Sequence, residues 1–123
     1  MTLTLSLVFR IMAANLFLWG LGMAVAPATM VETMGFEATA GLFTMMQFMA
    51  TMMLVFGVIH WQMPIWAGDN LKTVGMTFVI IHSVFLLLNL YQMASGSIPI
   101  NAMQIGGQVP QVILIVLFFL KSR

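Results

Sequence analysis

The stretch TFVIIHSVFLLLNLY, residues 77–91, decides the fold, because it is apolar for most of its length and carries no charged side chain. Together with the residues from Leu71 onward it reaches the length of about 20 residues that a helix needs to cross roughly 30 Å of hydrocarbon. Its histidine, His82, lies about three turns into that helix, near the middle of a bilayer. The stretch therefore predicts a membrane-spanning helix with an imidazole at its centre.

The whole chain has the composition of an integral membrane protein. Of its 123 residues 62% are hydrophobic and only 6% are charged, and the mean hydropathy is +1.08. In soluble domains about a quarter of the residues are charged. The net charge of +1 provides no basic surface for nucleic acid, and the absence of cysteine excludes disulfides and thiolate metal sites.

Four windows of the chain are long and apolar enough to span a bilayer. The connections between them are short, which favours an antiparallel up-down-up-down bundle. The sequence thus predicts an all-α membrane protein with a single four-helix transmembrane domain over residues 1–123. Its expected spans are residues 5–26, 38–60, 71–91 and 100–120.

The lysine and arginine residues predict the orientation of the bundle, since cytoplasmic segments retain them. With four spans, all of them fall on one side of the membrane: Arg10, Lys72, Lys121 and Arg123. Both termini and the connection at residues 61–72 are therefore expected to be cytoplasmic.

Polar side chains occur inside every predicted span. An unpaired polar group facing lipid costs several kcal/mol, so these groups are expected to converge inside the bundle. They either form hydrogen bonds between helices or bind a cofactor such as a quinone, a pigment or a haem, with His82 as its ligand. The candidate residues are Asn15, Gln47, His82, Asn89, Gln104, Gln108 and Gln111.

The second histidine, His60, is expected to play a different role. It ends the second predicted span next to Trp61, where an imidazole reaches water at the membrane interface. Antiparallel packing would then separate it from His82 by about 15 Å in depth, too far for both to bind one haem.

Methionine is abundant, with 14 residues, and is concentrated in MMQFMATMM, residues 45–53. Met45, Met49 and Met53 recur every four residues, and thioethers on one helical face suit Cu(I). Methionine is also an adaptable filler of apolar cores, and that explanation is preferred, because the chain has no cysteine and no second methionine stripe of equal clarity.

Motifs of catalysis are missing from the sequence. It contains no HExxH pair, no glycine-rich phosphate loop and no nucleophile elbow. Its carboxylates, Glu32, Glu37 and Asp69, fall in connections, so we expect a protein that is not an enzyme.

The first span ends in GLGMAVAPATMVETMGF, residues 20–36. Gly20 and Gly22 lie in the helix, Pro27 follows it, and Gly35 ends the turn. This pattern resembles small bacterial four-helix membrane proteins of the DoxX-like and related uncharacterised groups. The resemblance implies a four-helix bundle in a bacterial inner membrane and transfers no active site.

These features lead to two functional expectations. The first is a non-catalytic accessory subunit that packs against other membrane subunits in a larger, energy-transducing assembly within the lipid bilayer. The alternative is a binding protein for an apolar cofactor (quinone, pigment, haem or lipid) in the polar-lined interior, with Cu(I) handling by the methionines of the second span as a minor variant.

Overall fold

A computed structural model of the protein describes residues 3–123, and no strand occurs among them. Four long helices carry the fold, and a short helix and a single 3-10 turn lie in its connections. The elements are α1 (Leu5–Val25), α2 (Pro27–Thr33), α3 (Ala40–Ala67), the 3-10 turn Gly68–Asn70, α4 (Leu71–Ala94) and α5 (Ala102–Ser122).

Side-chain caps fix where three of the long helices begin. Thr4 and Thr39 accept hydrogen bonds from the backbone N–H groups three residues ahead, both at 3.3 Å, and Asn101 does the same for α5 at 2.9 Å. Such caps satisfy one of the N–H groups that a helix start leaves without a partner. Pro27 follows the end of α1 and opens α2, because a first helical residue needs no N–H donor.

Helix α3 continues beyond His60, where the predicted second span ends. It runs through Pro64 to Ala67 and is 28 residues long. Proline is tolerated inside such helices because neighbouring groups satisfy the carbonyl that loses its donor. His60 therefore lies about two turns inside α3 rather than at its end.

The described residues contain three helical stretches that are long and apolar enough to cross a membrane. They are Leu5–Val25, Ala40–Ala94 and Ala102–Ser122. The second stretch is 55 residues long and comprises α3 and α4. The protein is thus an all-helical, multi-pass membrane protein, which confirms the predicted class.

The helices pack mainly in two pairs, α1 against α3 and α4 against α5, with α1 also touching α5. Buried apolar residues form two clusters. The Phe9 cluster joins α1, α4 and α5 and consists of Leu5, Val8, Phe9, Met12, Phe78, Leu114 and Phe118. The Met46 cluster joins α1, α2 and α3 and consists of Met23, Val31, Met46 and Ala50.

The start of α1, the start of α4 and the end of α5 meet at one end of the bundle. A Cβ added at Gly75 would overlap the Ser122 hydroxyl and lie 3.2 Å from a methyl group of Leu5. Beside this junction the Lys72 ammonium donates to the carbonyl oxygen of Arg123 at 2.8 Å. Gly75 therefore allows three helices to approach closely at this end.

Candidate functional site

The two histidines of the chain face each other across α3 and α4. The Nε2 atoms of His60 and His82 are 3.0 Å apart, within hydrogen-bonding distance. Their side chains are only 2% and 7% exposed. Two ring nitrogens are thus paired inside an apolar bundle.

Phenylalanine rings enclose this pair. Phe78 lies edge-on to the His60 ring at 4.6 Å between centroids, and Phe118 stacks on the His82 ring at 6.0 Å. Phe9 lies 6.1 Å from the His60 ring and packs edge-on against Phe118. The imidazoles therefore join the Phe9 cluster and are shielded from lipid and water.

The neighbours of the pair determine where its hydrogens lie. Nδ1 of His60 is 2.7 Å from the carbonyl oxygen of Phe56, which can only accept, so Nδ1 carries a hydrogen. The Nε2 atom of a neutral His60 then has a free lone pair, and Nε2 of His82 must donate to it. In neutral His82 the remaining nitrogen, Nδ1, is left with a lone pair of its own.

The prediction that His60 and His82 lie about 15 Å apart was wrong. It rested on reading Pro64 as part of a break after His60, whereas α3 continues to Ala67. The turn at Gly68–Asn70 then folds α4 back along α3, which brings the two imidazoles together. His60 is thus a candidate site residue that sequence reasoning missed, and the uncharged, mostly apolar stretch that continues past it to Trp66 was the available signal.

The glutamines of α5 reach the histidine pair at one point. The Nε2 amide of Gln111 donates to the backbone carbonyl of His82 at 3.1 Å, not to its ring. Gln108 donates to the carbonyl of Gln104 within α5 at 3.4 Å, and its buried Oε1 has no partner among the described residues. Gln111 therefore supports the backbone at His82, while Gln108 does not reach the pair.

The first turn of α5 and its cap bind the connection after α2. Asn101 and Gln104 both donate side-chain amide hydrogens to the carbonyl oxygen of Met34, at 2.9 and 3.5 Å. That carbonyl follows the end of α2, and Gly35 beside it has a φ of +86°, which favours glycine. Gln104 thus anchors a loop instead of joining the other polar side chains inside the bundle.

The remaining predicted site residues make no hydrogen bond to the histidine pair within the described part of the chain. Asn15 and Asn89 are half-buried and make none of the hydrogen bonds described above, and Gln47 is exposed on α3. Met45 and Met49 are exposed as well, 57% and 37% respectively, whereas Met53 packs against the Met46 cluster. The structure does not bring these residues together with His82.

The arrangement offers two imidazole nitrogens and no further ionisable ligand. No group of three or more histidine, cysteine, aspartate or glutamate side chains that could hold a metal occurs within residues 3–123. Chemically, the pair can share a proton or, after turning both lone pairs inward, bind a cation that accepts two ligands.

No family model matches the chain, and no match was found among curated proteins or solved structures. The resemblance to DoxX-like proteins therefore stays a prediction.

Proposed function

We propose that the protein crosses a bacterial inner membrane four times, up-down-up-down, with both termini in the cytoplasm. The 55-residue apolar stretch would cross twice, because the turn at Gly68–Asn70 divides it and folds α4 back along α3. Contacts among Leu5, Gly75 and Ser122 support this arrangement, since they bring the start of α1, the start of α4 and the end of α5 to one side. The lysines and arginines then share that side, as cytoplasmic residues do.

We further propose that the protein is a non-catalytic binding protein that holds a single Cu(I) ion between His60 and His82. The observation that carries this proposal is the buried 3.0 Å approach of the two Nε2 atoms. Imidazole nitrogens are good ligands for copper, and Cu(I) accepts a linear pair of ligands. No other ionisable ligand is required in such a site.

The hydrogen bond from His60 to Phe56 supports a metal-binding role. Histidines that bind metals usually donate their second ring N–H to a carbonyl or carboxylate, which leaves the first nitrogen free and oriented. His60 has this arrangement through its 2.7 Å bond to the Phe56 carbonyl. His82 would move its hydrogen from Nε2 to Nδ1, and the two Nε2 atoms would separate to about 4 Å, two bonds of about 2 Å each.

The larger cofactors expected from the sequence fit this site less well. A haem or a pigment places its broad ring just beyond the ligating nitrogen of the histidine, perpendicular to the metal–nitrogen bond. In front of each Nε2 atom lies the other histidine, 3.0 Å away, and Phe9, Phe78 and Phe118 enclose the pair with ring centroids 4.6 to 6.1 Å from those of the histidines. A quinone meets the same obstacle. A single ion needs only a small separation of the two imidazoles.

Cu(I) titration of the detergent-purified protein against a colorimetric chelator tests the site. We expect about one Cu(I) per chain, with an X-ray absorption spectrum of two nitrogen ligands and no sulfur. His60→Leu and His82→Leu should each abolish this binding. The triple variant Met45→Leu, Met49→Leu, Met53→Leu is the matched control and should bind copper as the parent does.

Two results would contradict this assignment. Undiminished copper binding in both histidine variants would show that the pair is not the ligand set. Loss of binding in the methionine variant, with sulfur scattering in the parent spectrum, would place the ion on the methionine face of α3 instead.

A specific observation also favours the accessory-subunit function, as a second candidate. Gln47 is exposed on α3 among exposed apolar side chains, including Met45 and Phe48. An amide facing hydrocarbon without a partner costs free energy, and helices of a neighbouring subunit can supply that partner.

Purification in a mild detergent tests this second function. We expect the protein to co-migrate with larger membrane subunits in fixed proportion, and Gln47→Leu to weaken that association while Thr51→Val, another polar change on an exposed part of α3, does not. Thr51 already bonds the Gln47 carbonyl within its own helix, so it needs no partner. Migration of the parent as a single small species would contradict the proposal.

A further inference from the structure

A groove of about 420 Å³ lies on the surface between α1 and α3, and neither histidine lines it. It is lined by Phe17, Val58, Trp61 and Gln62. Three of these side chains are largely apolar, and the single amide comes from Gln62, beside Trp61. The groove is therefore apolar with one polar end.

Gly57 explains how Phe17 comes to form one wall of the groove. A Cβ at this position would lie 2.7 Å from the ring of Phe17, closer than real contacts allow. Phe17 can thus lie directly against α3 because residue 57 has no side chain. The groove lies next to this contact, beside Val58.

A cation lies beside the polar end of this groove. The Arg10 guanidinium carbon is 5.4 Å from the centroid of the Trp61 ring, a cation–π contact. Arg10 is exposed, and it precedes Phe17 on α1 by about two turns, or about 10 Å. Within residues 3–123 its charge stacks on an indole and is not paired with a carboxylate.

We infer that this groove binds one anionic glycerophospholipid of the surrounding bilayer. The phosphate would lie at Arg10 and Gln62, and one acyl chain would follow Phe17 and Val58. The groove has the polarity of such a lipid, with a cation and an amide at one end and apolar side chains at the other. Tryptophan and arginine are also typical of the headgroup level of a membrane. This inference does not depend on copper binding.

Native mass spectrometry of the full chain, with phosphatidylglycerol and phosphatidylcholine added in competition, tests the inference. We expect the parent to prefer phosphatidylglycerol. Arg10→Gln should reduce that preference about fivefold, the contribution of one arginine near an anionic surface. Arg10→Lys keeps the charge and should retain most of the preference.

The chain offers a matched control for the charge. Arg123 also stacks on an aromatic ring, that of Phe119 at 5.1 Å, but it is not next to the groove. Arg123→Gln should therefore leave the lipid preference unchanged. An equal loss in both arginine variants would show that the effect is general surface charge, and no loss in Arg10→Gln would overturn the inference.

A second variant tests the apolar part. Val58→Trp fills the groove without changing its charge and should reduce the binding of both lipids. Retained binding of phosphatidylglycerol by this variant would show that the lipid lies elsewhere. Circular dichroism and gel filtration establish that each variant is folded. Lipid binding is then compared only among folded variants.

Discussion

Replacing Gly75 with valine is expected to destabilise the bundle by about 3 kcal/mol or more, the upper range for overpacking a tight interior. A Cβ at this position would overlap the Ser122 hydroxyl and lie 3.2 and 3.3 Å from the two methyl groups of Leu5. Valine adds two further carbons to that Cβ. Because α1, α4 and α5 meet here, all three helices would have to move apart.

Gly106→Val is the matched control, because a Cβ at Gly106 meets nothing within 4 Å. The same change there should alter the free energy of unfolding by less than about 1 kcal/mol. Unfolding by a denaturing detergent, followed by circular dichroism, measures both variants. Equal destabilisation of the two would contradict the close approach at Gly75.

Ser122 provides a rescue of the milder Gly75→Ala variant. The Ser122 hydroxyl is buried and has no hydrogen-bond partner within the described part of the chain, so Ser122→Ala should cost little by itself. In combination with Gly75→Ala it removes the oxygen that the new methyl group would strike. The double variant should be more stable than Gly75→Ala alone.

His82→Leu is expected to lower the free energy of unfolding by about 1–3 kcal/mol in the absence of metal. The substitution removes the donor to Nε2 of His60, which is only 2% exposed and has no water to replace it. His60→Leu should have an effect of similar size, because it leaves the Nε2 hydrogen of His82 without its acceptor. A chelator in all solutions keeps copper out of the comparison.

The double variant His60→Leu, His82→Leu gives the decisive comparison. Removing both partners leaves no unpaired nitrogen, so its cost should fall short of the sum of the single costs by about 1 kcal/mol or more. Gln111→Leu serves as the control, since its amide bonds the His82 backbone and not the ring. The change in unfolding free energy caused by Gln111→Leu should add to that caused by His60→Leu when the two are combined. Simple additivity of the two histidine changes would contradict a direct bond between the rings.

The helical class could be predicted from the sequence because hydrocarbon permits few alternatives. Long runs without charge must become helices in a membrane, since each backbone polar group needs a partner within its own segment. The expected span at residues 100–120 lies within two residues of α5 at both ends, although Asn101, which caps α5, was placed inside the span. These properties depend on neighbours in the chain and not on distant contacts.

The histidine pair could not be predicted because one proline was ambiguous. In water a proline such as Pro64 kinks or ends a helix, because it removes one backbone hydrogen bond and its ring clashes with the carbonyl four residues earlier. In this protein α3 continues through Pro64 for another three residues. His60 therefore lies about two turns inside α3, and its buried ring meets that of His82 instead of reaching water. Where α3 ends depends on the packing around it, which the sequence alone does not supply.

The polar side chains of α5 show a second limit of prediction from the sequence. The spacing of Gln104, Gln108 and Gln111 indicates a common face, but it does not identify the groups opposite. Gln104 and Asn101 bind the Met34 carbonyl because α2 ends there and leaves an acceptor free. The free Met34 carbonyl exists because the short helix α2, which begins at Pro27, ends just before it.

The pairing of α1 with α3 and of α4 with α5 has a consequence for how the chain is made. Each pair consists of segments that leave the ribosome in succession, so the first hairpin can assemble before the second has been synthesised. The meeting of His60 with His82 joins the two halves. We therefore expect this contact to form last, when the later hairpin docks on the earlier one.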